Sequence, residues 1–242
     1  MKTAVVTGAS GGIGVALCAA FAQAGYRVIG CDLREGAPNC DVFLQFDLRA
    51  MSASASDLQI VLERIREALG GDGVAVLVNN AAVQVLGSAD TLTADDWRAT
   101  LDINLVAPFL LIQGLLPELE RANGSVVNVA SVHAHLTKPG FVAYATSKAA
   151  LVGLTRSLAV DLGSRVRVNA VLPAATATPM LLAGLEPGEV DALGAMHPWK
   201  RIARPEEIAA AVVYLASGAA SFVNGAVLAV DGGVGARLHD TI

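Results

Sequence analysis

The chain has 242 residues, 54% hydrophobic and 16% charged. That composition supports a large core and excludes a disordered chain. The formal net charge is −5 with no long basic run, so the electrostatic footprint of a nucleic-acid binder is missing. TAVVT, from Thr3 to Thr7, reads as a strand, and Ile13 to Gly25 as a helix stopped by glycine. RVIGCD (Arg27 to Asp32) and DVFLQFD (Asp41 to Asp47) read as the next two strands. Ser56 to Leu69 reads as a helix, with Leu58, Val61, Leu62, Ile65 and Leu69 on one face. VAVLVNN (Val74 to Asn80) is a strand, and Thr93 to about Leu119 a long helical region with a hydroxyl and acids at its start. SVVNVAS (Ser125 to Ser131) is a strand, Phe141 to Leu162 a helix, and RVRVNAVLP (Arg165 to Pro173) a strand. Pro205 to Ala216 is a helix with proline in its first turn and acids behind it. Ala226 to Gly233 is the last strand.

Seven apolar strands alternating with helices predict an α/β fold, a parallel sheet with helices on both faces. No linker or repeat interrupts the alternation, so one domain over 1–242 is expected. Residues 176–204 break the pattern with Gly, Pro and Met and read as a lid. No apolar segment has the ~20 residues of a membrane span. The high mean hydropathy of +0.54 is assigned to elements buried on both faces or between subunits. Met1-Lys2 is followed by only a short apolar run, so no export signal is read and a cytoplasmic location is expected. Cys18, Cys31 and Cys40 are odd in number and lack metal-ligand spacing; they are read as free thiols in a reducing compartment, with no metal.

TGASGGIG (Thr7 to Gly14) follows the first strand and opens the first helix. Glycines there let backbone approach a pyrophosphate, and the helix N-terminus offers free N–H groups and partial positive charge. Strand before and helix after are the context that separates this turn from any glycine-rich turn. Asp32 ends the second strand. An acid there accepts from the adenosine ribose hydroxyls and repels a 2′-phosphate, favouring NAD over NADP. Arg34, two residues on, weakens that preference because a guanidinium can meet a phosphate. Asp47 could accept from the adenine amino group, and an exposed acid at a strand end fits the same pattern.

Tyr144 and Lys148 lie four apart in a predicted helix, so they share a face. A free phenol, with a pKa of ~10, is a poor proton acceptor near neutrality. A nearby ammonium favours the phenolate and is expected to lower that value. Ser131 ends a strand at its carboxyl edge, where open α/β sheets bind ligands. Its hydroxyl can donate to a substrate oxygen that gains charge. Taken alone, a Tyr-x-x-x-Lys pair also describes an ordinary surface pair on a helix.

TGASGGIG, Asp32, VNNAA, Asn104, Ser131, YATSK, RVRVNAVLP, RPEEIA and VNGAVLAVDGG occur in this order and spacing over nearly the whole chain. The ordered set resembles the short-chain dehydrogenase/reductase family. That resemblance implies a doubly wound Rossmann sheet of seven parallel strands, and hydride transfer between a nicotinamide cofactor and an alcohol or carbonyl carbon. It implies Tyr144 as acid/base, Lys148 also on the nicotinamide ribose, and Ser131 on the substrate oxygen. Asn104 would hold a water through its helical backbone and link Lys148 to a proton relay. Gly8, Ser10, Gly12, Ile13 and Gly14 would line the pyrophosphate and nearby ribose. Asp47 and Leu48 would contact adenine, Asn80 the adenosine ribose, and Thr176 the nicotinamide amide or pyrophosphate; Ala81 and Pro173 complete the cofactor set. Two positions depart from the family pattern. Ala82 stands where NNAG has glycine, tolerable if its φ is negative, and Ala174 stands where glycine usually follows Pro173.

The substrate is expected among residues after Ser131, around Val83 to Leu86, and under the segment from Ala177 to Trp199. His133 or His135 could hydrogen-bond a polar substituent, Lys138 or Lys200 a carboxylate. Met180, Leu181, Leu182, Met196 and Trp199 would make an apolar lid. Leu101, Leu105, Leu110, Leu111 and Leu115, then Ala149, Leu151, Leu154 and Leu158, give two helical regions more than one apolar side. The second side could pair with another copy, and the family resemblance implies a homotetramer, or else a homodimer, through these helices. The tail RLHDTI could reach a neighbour. Other readings stay open: an NADPH-dependent ketoacyl-type reductase, a non-redox enzyme on this scaffold, or a non-catalytic dinucleotide sensor.

Overall fold

The computed structural model describes residues 1–36, 39–186 and 188–238. The last four residues of the tail, 239–242, lie outside the described residues, and with them its proposed reach to a neighbour. The strands are β1 (Thr3–Thr7), β2 (Arg27–Asp32), β3 (Val42–Gln45), β4 (Val74–Asn79), β5 (Ser125–Val129), β6 (Arg167–Pro173) and β7 (Val227–Val230). They form a seven-stranded sheet in the order β3-β2-β1-β4-β5-β6-β7, and every pairing is parallel. Chain direction across the sheet reverses between β1 and β4, the switch point where doubly wound folds bind ligands.

The inner strands read as continuous apolar runs because both their faces are buried, whereas β3 and β7 at the sheet edges are partly exposed. Alternate residues feed opposite layers. Val5, Leu77, Val126 and Val168 face one core. Ala4, Val6, Val76, Val78 and Val127 face the other. The first core is roofed by α3 (Ala55–Leu69), α5 (Ala107–Gly114), α6 (Leu116–Arg121) and α7 (Val142–Leu162). The second is roofed by α1 (Gly12–Gln23) and α10 (Pro205–Ala216), through Leu17, Phe21, Ile208, Val212 and Leu215. Phe21 is fully buried, so its truncation to alanine would cost about 3–5 kcal/mol.

Boundaries differ from expectation where polar side chains act on backbone. The strand expected to run to Asp47 stops at Gln45, and Asp47 instead caps α2 (Leu48–Ala53), accepting from the Arg49 N–H at 2.7 Å. The long helical region divides into α4 (Ala94–Leu101), a π-helical turn (Asp102–Val106), α5 and α6. Thr93 and Asp96 close a reciprocal capping box at its start. Pro108 and Pro117 sit in the first turns of α5 and α6. The segment 176–204 carries α8 (Pro179–Leu182) and α9 (Glu189–Met196). Its base is tied by Ala177 N–H to Ala203 O and Ala203 N–H to Ala175 O, each 2.8 Å.

Candidate active site

The turn after β1 is built by side chains as much as by glycine. Gly8 has φ +66°, and a Cβ there would meet the Ala81 Cα at 2.8 Å. A Cβ on Gly14 would run into the Gly8 carbonyl, so α1 can approach β1 only through glycine. The Thr7 hydroxyl accepts from the N–H groups of Asn80 and Ala81, both at 3.1 Å. The Asn80 amide donates to the carbonyls of Thr7 (3.0 Å) and Gly8 (3.1 Å). The expected ribose neighbour therefore also pins the turn. Gly12 and Ile13 open α1 with N–H groups at its positive end. Gly12 leaves space for Thr178 of the 176–204 segment, whose Cβ a methyl on Gly12 would meet at 2.8 Å.

Asp32 stands at the end of β2 and holds the same turn. Its Oδ2 accepts from the Ser10 N–H at 2.9 Å and its Oδ1 from the Arg34 N–H at 3.1 Å. Among the described residues these are the partners of its carboxylate. This glycine cradle, the helix N-terminus and a carboxylate at the next strand end fit a nicotinamide dinucleotide. Asp47 and Leu48 sit at the start of α2, after the neighbouring strand. Pro173 ends β6, and Thr176 is buried with its hydroxyl donating to the Ala174 carbonyl at 3.0 Å. Ala82 is not among the described non-glycine residues with positive φ, which are Asn39, Asn123 and Lys200. The alanine there carries no backbone strain.

Ser131 follows β5, and its Oγ accepts from the His133 N–H at 3.2 Å, starting a short 3-10 turn (Val132–Ala134). Tyr144 and Lys148 share a face of α7. Lys148 is 2% exposed, and its Nζ lies 5.7 Å from the Tyr144 ring centre. The ammonium donates to the Val129 carbonyl at 2.9 Å. Burial lowers the Lys148 pKa to about 8.

Tyr144 departs from expectation. Burial pushes its phenol above the ordinary value, and the Ser131 hydroxyl only partly opposes that. The Lys148 ammonium, 5.7 Å from the Tyr144 ring centre, is bonded to the Val129 carbonyl, and loss of water around the phenol dominates. Asn104 departs too. It is fully buried in the π-helical turn. Its Oδ1 accepts from Val83 N–H, and its Nδ2 donates to the Val83 carbonyl, both at 2.9 Å, and to Ser147 Oγ at 3.0 Å. The side chain is thus a clamp on the Val83 segment. The backbone is different: Pro108 has no N–H for the Asn104 carbonyl four residues back.

Sequence reasoning missed several residues. Ser147 is buried and bridges the Asn104 amide to the Tyr144 carbonyl, to which it donates at 2.7 Å; its place within YATSK was the available signal. Beneath the site Asn79 donates to Asn128 (2.8 Å) and Asn128 to Thr155 (2.9 Å). Phe141 stacks on His133 with centroids 4.4 Å apart, and both meet Tyr144 edge-on. Lys138 lies 4.7 Å over the Phe141 ring. Burial and Lys138 lower the His133 pKa, and its buried Nδ1 has no hydrogen-bond partner among the described residues. His135 is exposed, and Lys200 reaches only toward the Ala195 carbonyl at 3.4 Å. Met180, Leu182, Met196 and Trp199 are largely exposed on the 176–204 segment.

A sheet of this order, with this turn and this serine–tyrosine–lysine cluster, defines a dinucleotide-binding oxidoreductase fold. A family model described as enoyl-(acyl carrier protein) reductase matches residues 8–235. D-threitol dehydrogenase of Mycolicibacterium smegmatis is 39% identical over 241 residues, covering 96% of this chain and 92% of that protein. The ligand-free aldohexose dehydrogenase of Thermoplasma acidophilum superposes with a TM-score of 0.90 at 32% identity, over 100% of this chain and 97% of that one. The 3-ketoacyl-(acyl-carrier-protein) reductase of Brucella melitensis, solved with NADH, gives 0.86 at 26% identity, over 97% and 98%. The chain belongs to the short-chain dehydrogenase/reductase family. Its relatives are dehydrogenases and reductases.

Proposed function

We propose that this protein is an NAD-dependent oxidoreductase acting on a secondary alcohol or the matching ketone, with the whole chain as one catalytic domain. The observation that carries the proposal is the meeting of Ser131, Tyr144 and Lys148 at the carboxyl edge of the sheet, on the strand side of a glycine cradle. With the pyrophosphate of the dinucleotide in that cradle, its nicotinamide ring would supply or accept the hydride. Asp32 would receive the adenosine ribose hydroxyls on its remaining lone pairs and exclude a 2′-phosphate. Ser131 would hold the substrate oxygen, and Tyr144 would take or return that oxygen's proton. Lys148, held by Val129, would bind the nicotinamide ribose and favour the phenolate once a positively charged ring lies nearby. The Asn104 carbonyl would hold the water that passes the proton outward.

The substrate class we infer is a small polyhydroxylated alcohol. The names of two relatives, a threitol and an aldohexose dehydrogenase, support it, as does the unpartnered ring nitrogen of His133 beside Tyr144. The exposed Phe109, Val142 and Val160 on α5 and α7 support assembly as a homotetramer or homodimer. The test is oxidation of a panel of secondary alcohols and polyols with NAD, followed by NADH absorbance. Turnover of at least one member, absent from the Tyr144→Phe protein, is expected. Equal rates in the two proteins would remove Tyr144 from the reaction.

A further inference from the structure

Cys18 and Cys40 play no part in the site just described. Cys18 lies on α1 and is fully buried; Cys40 precedes β3 and is partly exposed. Their sulfurs share a hydrogen bond at 3.3 Å. The approach is built. A side chain at Gly30 would collide with the Cys40 sulfur, so the glycine in β2 is what admits it. Asp41, next in the chain, is locked to the same strand: its N–H donates to Val28 O at 2.9 Å and its carboxylate accepts from Val28 N–H at 2.7 Å. Cys31 is also buried, but its side chain belongs to the core on the opposite sheet face. The contact with Cys18 holds the Cys40 thiol below its ordinary value, while that contact and burial push Cys18 up. Cys40 is thus the thiol nearer solvent, and Cys18 lies buried behind it.

We propose that Cys40 and Cys18 form a modification site, a dithiol oxidised by hydrogen peroxide to an intramolecular disulfide. The Cys40 thiolate attacks the peroxide, the O–O bond breaks, and hydroxide leaves with a sulfenic acid on Cys40. The Cys18 sulfur then attacks the Cys40 sulfur, the S–O bond breaks, and water leaves. Two thiols lose two electrons, and one peroxide becomes two waters. Closing to a disulfide needs the sulfurs to move together by roughly 1.3 Å. The bond ties the helix that opens the phosphate-binding turn to the segment following Asp32.

The test treats the full-length reduced protein with hydrogen peroxide and maps thiols by mass spectrometry. Expected is the loss of two hydrogens, one peptide cross-link between Cys18 and Cys40, and a free Cys31. Cys18→Ser is expected to trap a sulfenic acid on Cys40 that a dimedone probe labels, and Cys40→Ser to consume no peroxide beyond background. Three intact thiols in the treated wild type would overturn the proposal. So would Cys40 passing to sulfinic acid with Cys18 unreacted. Neither readout depends on cofactor or substrate.

Discussion

The Lys148 ammonium donates to the Val129 carbonyl at 2.9 Å, so the buried charge in this site is held by the end of β5. A buried ammonium bonded to one carbonyl has lost most of its hydration, and its pKa falls to about 8. Below that value both folded and unfolded chains carry the proton, and the burial penalty is fully present. Between about 8 and the unfolded value of 10.5, the unfolded chain binds a proton the folded one lacks. Stability from this site therefore rises with pH through that window. Denaturant titrations of wild type and Lys148→Met should show the difference shifting toward wild type by roughly 3 kcal/mol across it. A difference flat with pH would mean the lysine is not desolvated.

Burial raises the Tyr144 phenol, so the ligand-free protein should show this tyrosine ionising above the ordinary ~10. The ultraviolet difference between wild type and Tyr144→Phe reads that titration. Adding NAD, with its positively charged ring, should bring it down. Tyr144→Phe should bind NADH nearly as wild type does and lose about 10²-fold or more in turnover. A midpoint unmoved by NAD would assign the tuning elsewhere.

Asn104 satisfies both backbone groups of Val83 and the Ser147 hydroxyl. Asn104→Ala leaves these buried groups without their partner and should cost about 2–3 kcal/mol in denaturant unfolding. A loss under 0.5 kcal/mol, about the scale of a surface substitution, would show that water replaces the amide freely.

Asp32→Ala should narrow the affinity gap between NADH and NADPH, since it removes the charge facing a 2′-phosphate. It should also weaken both, because Ser10 loses the acceptor that fixes the turn. An unchanged ratio of dissociation constants would mean Asp32 serves the turn alone.

The seven strands were legible because their apolar runs are bounded by turn residues, a pattern that burial beneath helices on both faces sets for β1, β2, β4, β5 and β6. The glycine turn and the Tyr144–Lys148 pair were legible because their spacing carries their geometry. What escaped reading depends on competition between side chain and backbone. Asp47 reads equally as a strand end or a helix cap, and its bond to Arg49 N–H decides for the cap. The break at residues 102–106 was announced only by Pro108, whose missing N–H interrupts the ladder. The last strand, expected to reach Gly233, ends at Val230, because Asp231 turns to accept from the N–H groups of Gly233 and Gly235. The tyrosine's raised pKa was illegible since it follows from how deeply α7 buries the ring, which no four-residue spacing reports.

Parallel titration of the purified protein with NADH and NADPH, by fluorescence, tests the central claim most directly. Asp32, with only backbone N–H partners on its carboxylate among the described residues, predicts NADH binding at least about tenfold tighter, a difference of 1.4 kcal/mol or more. Equal affinities, or tighter binding of NADPH, would contradict the assignment of NAD and make Arg34 the residue that reads the ribose.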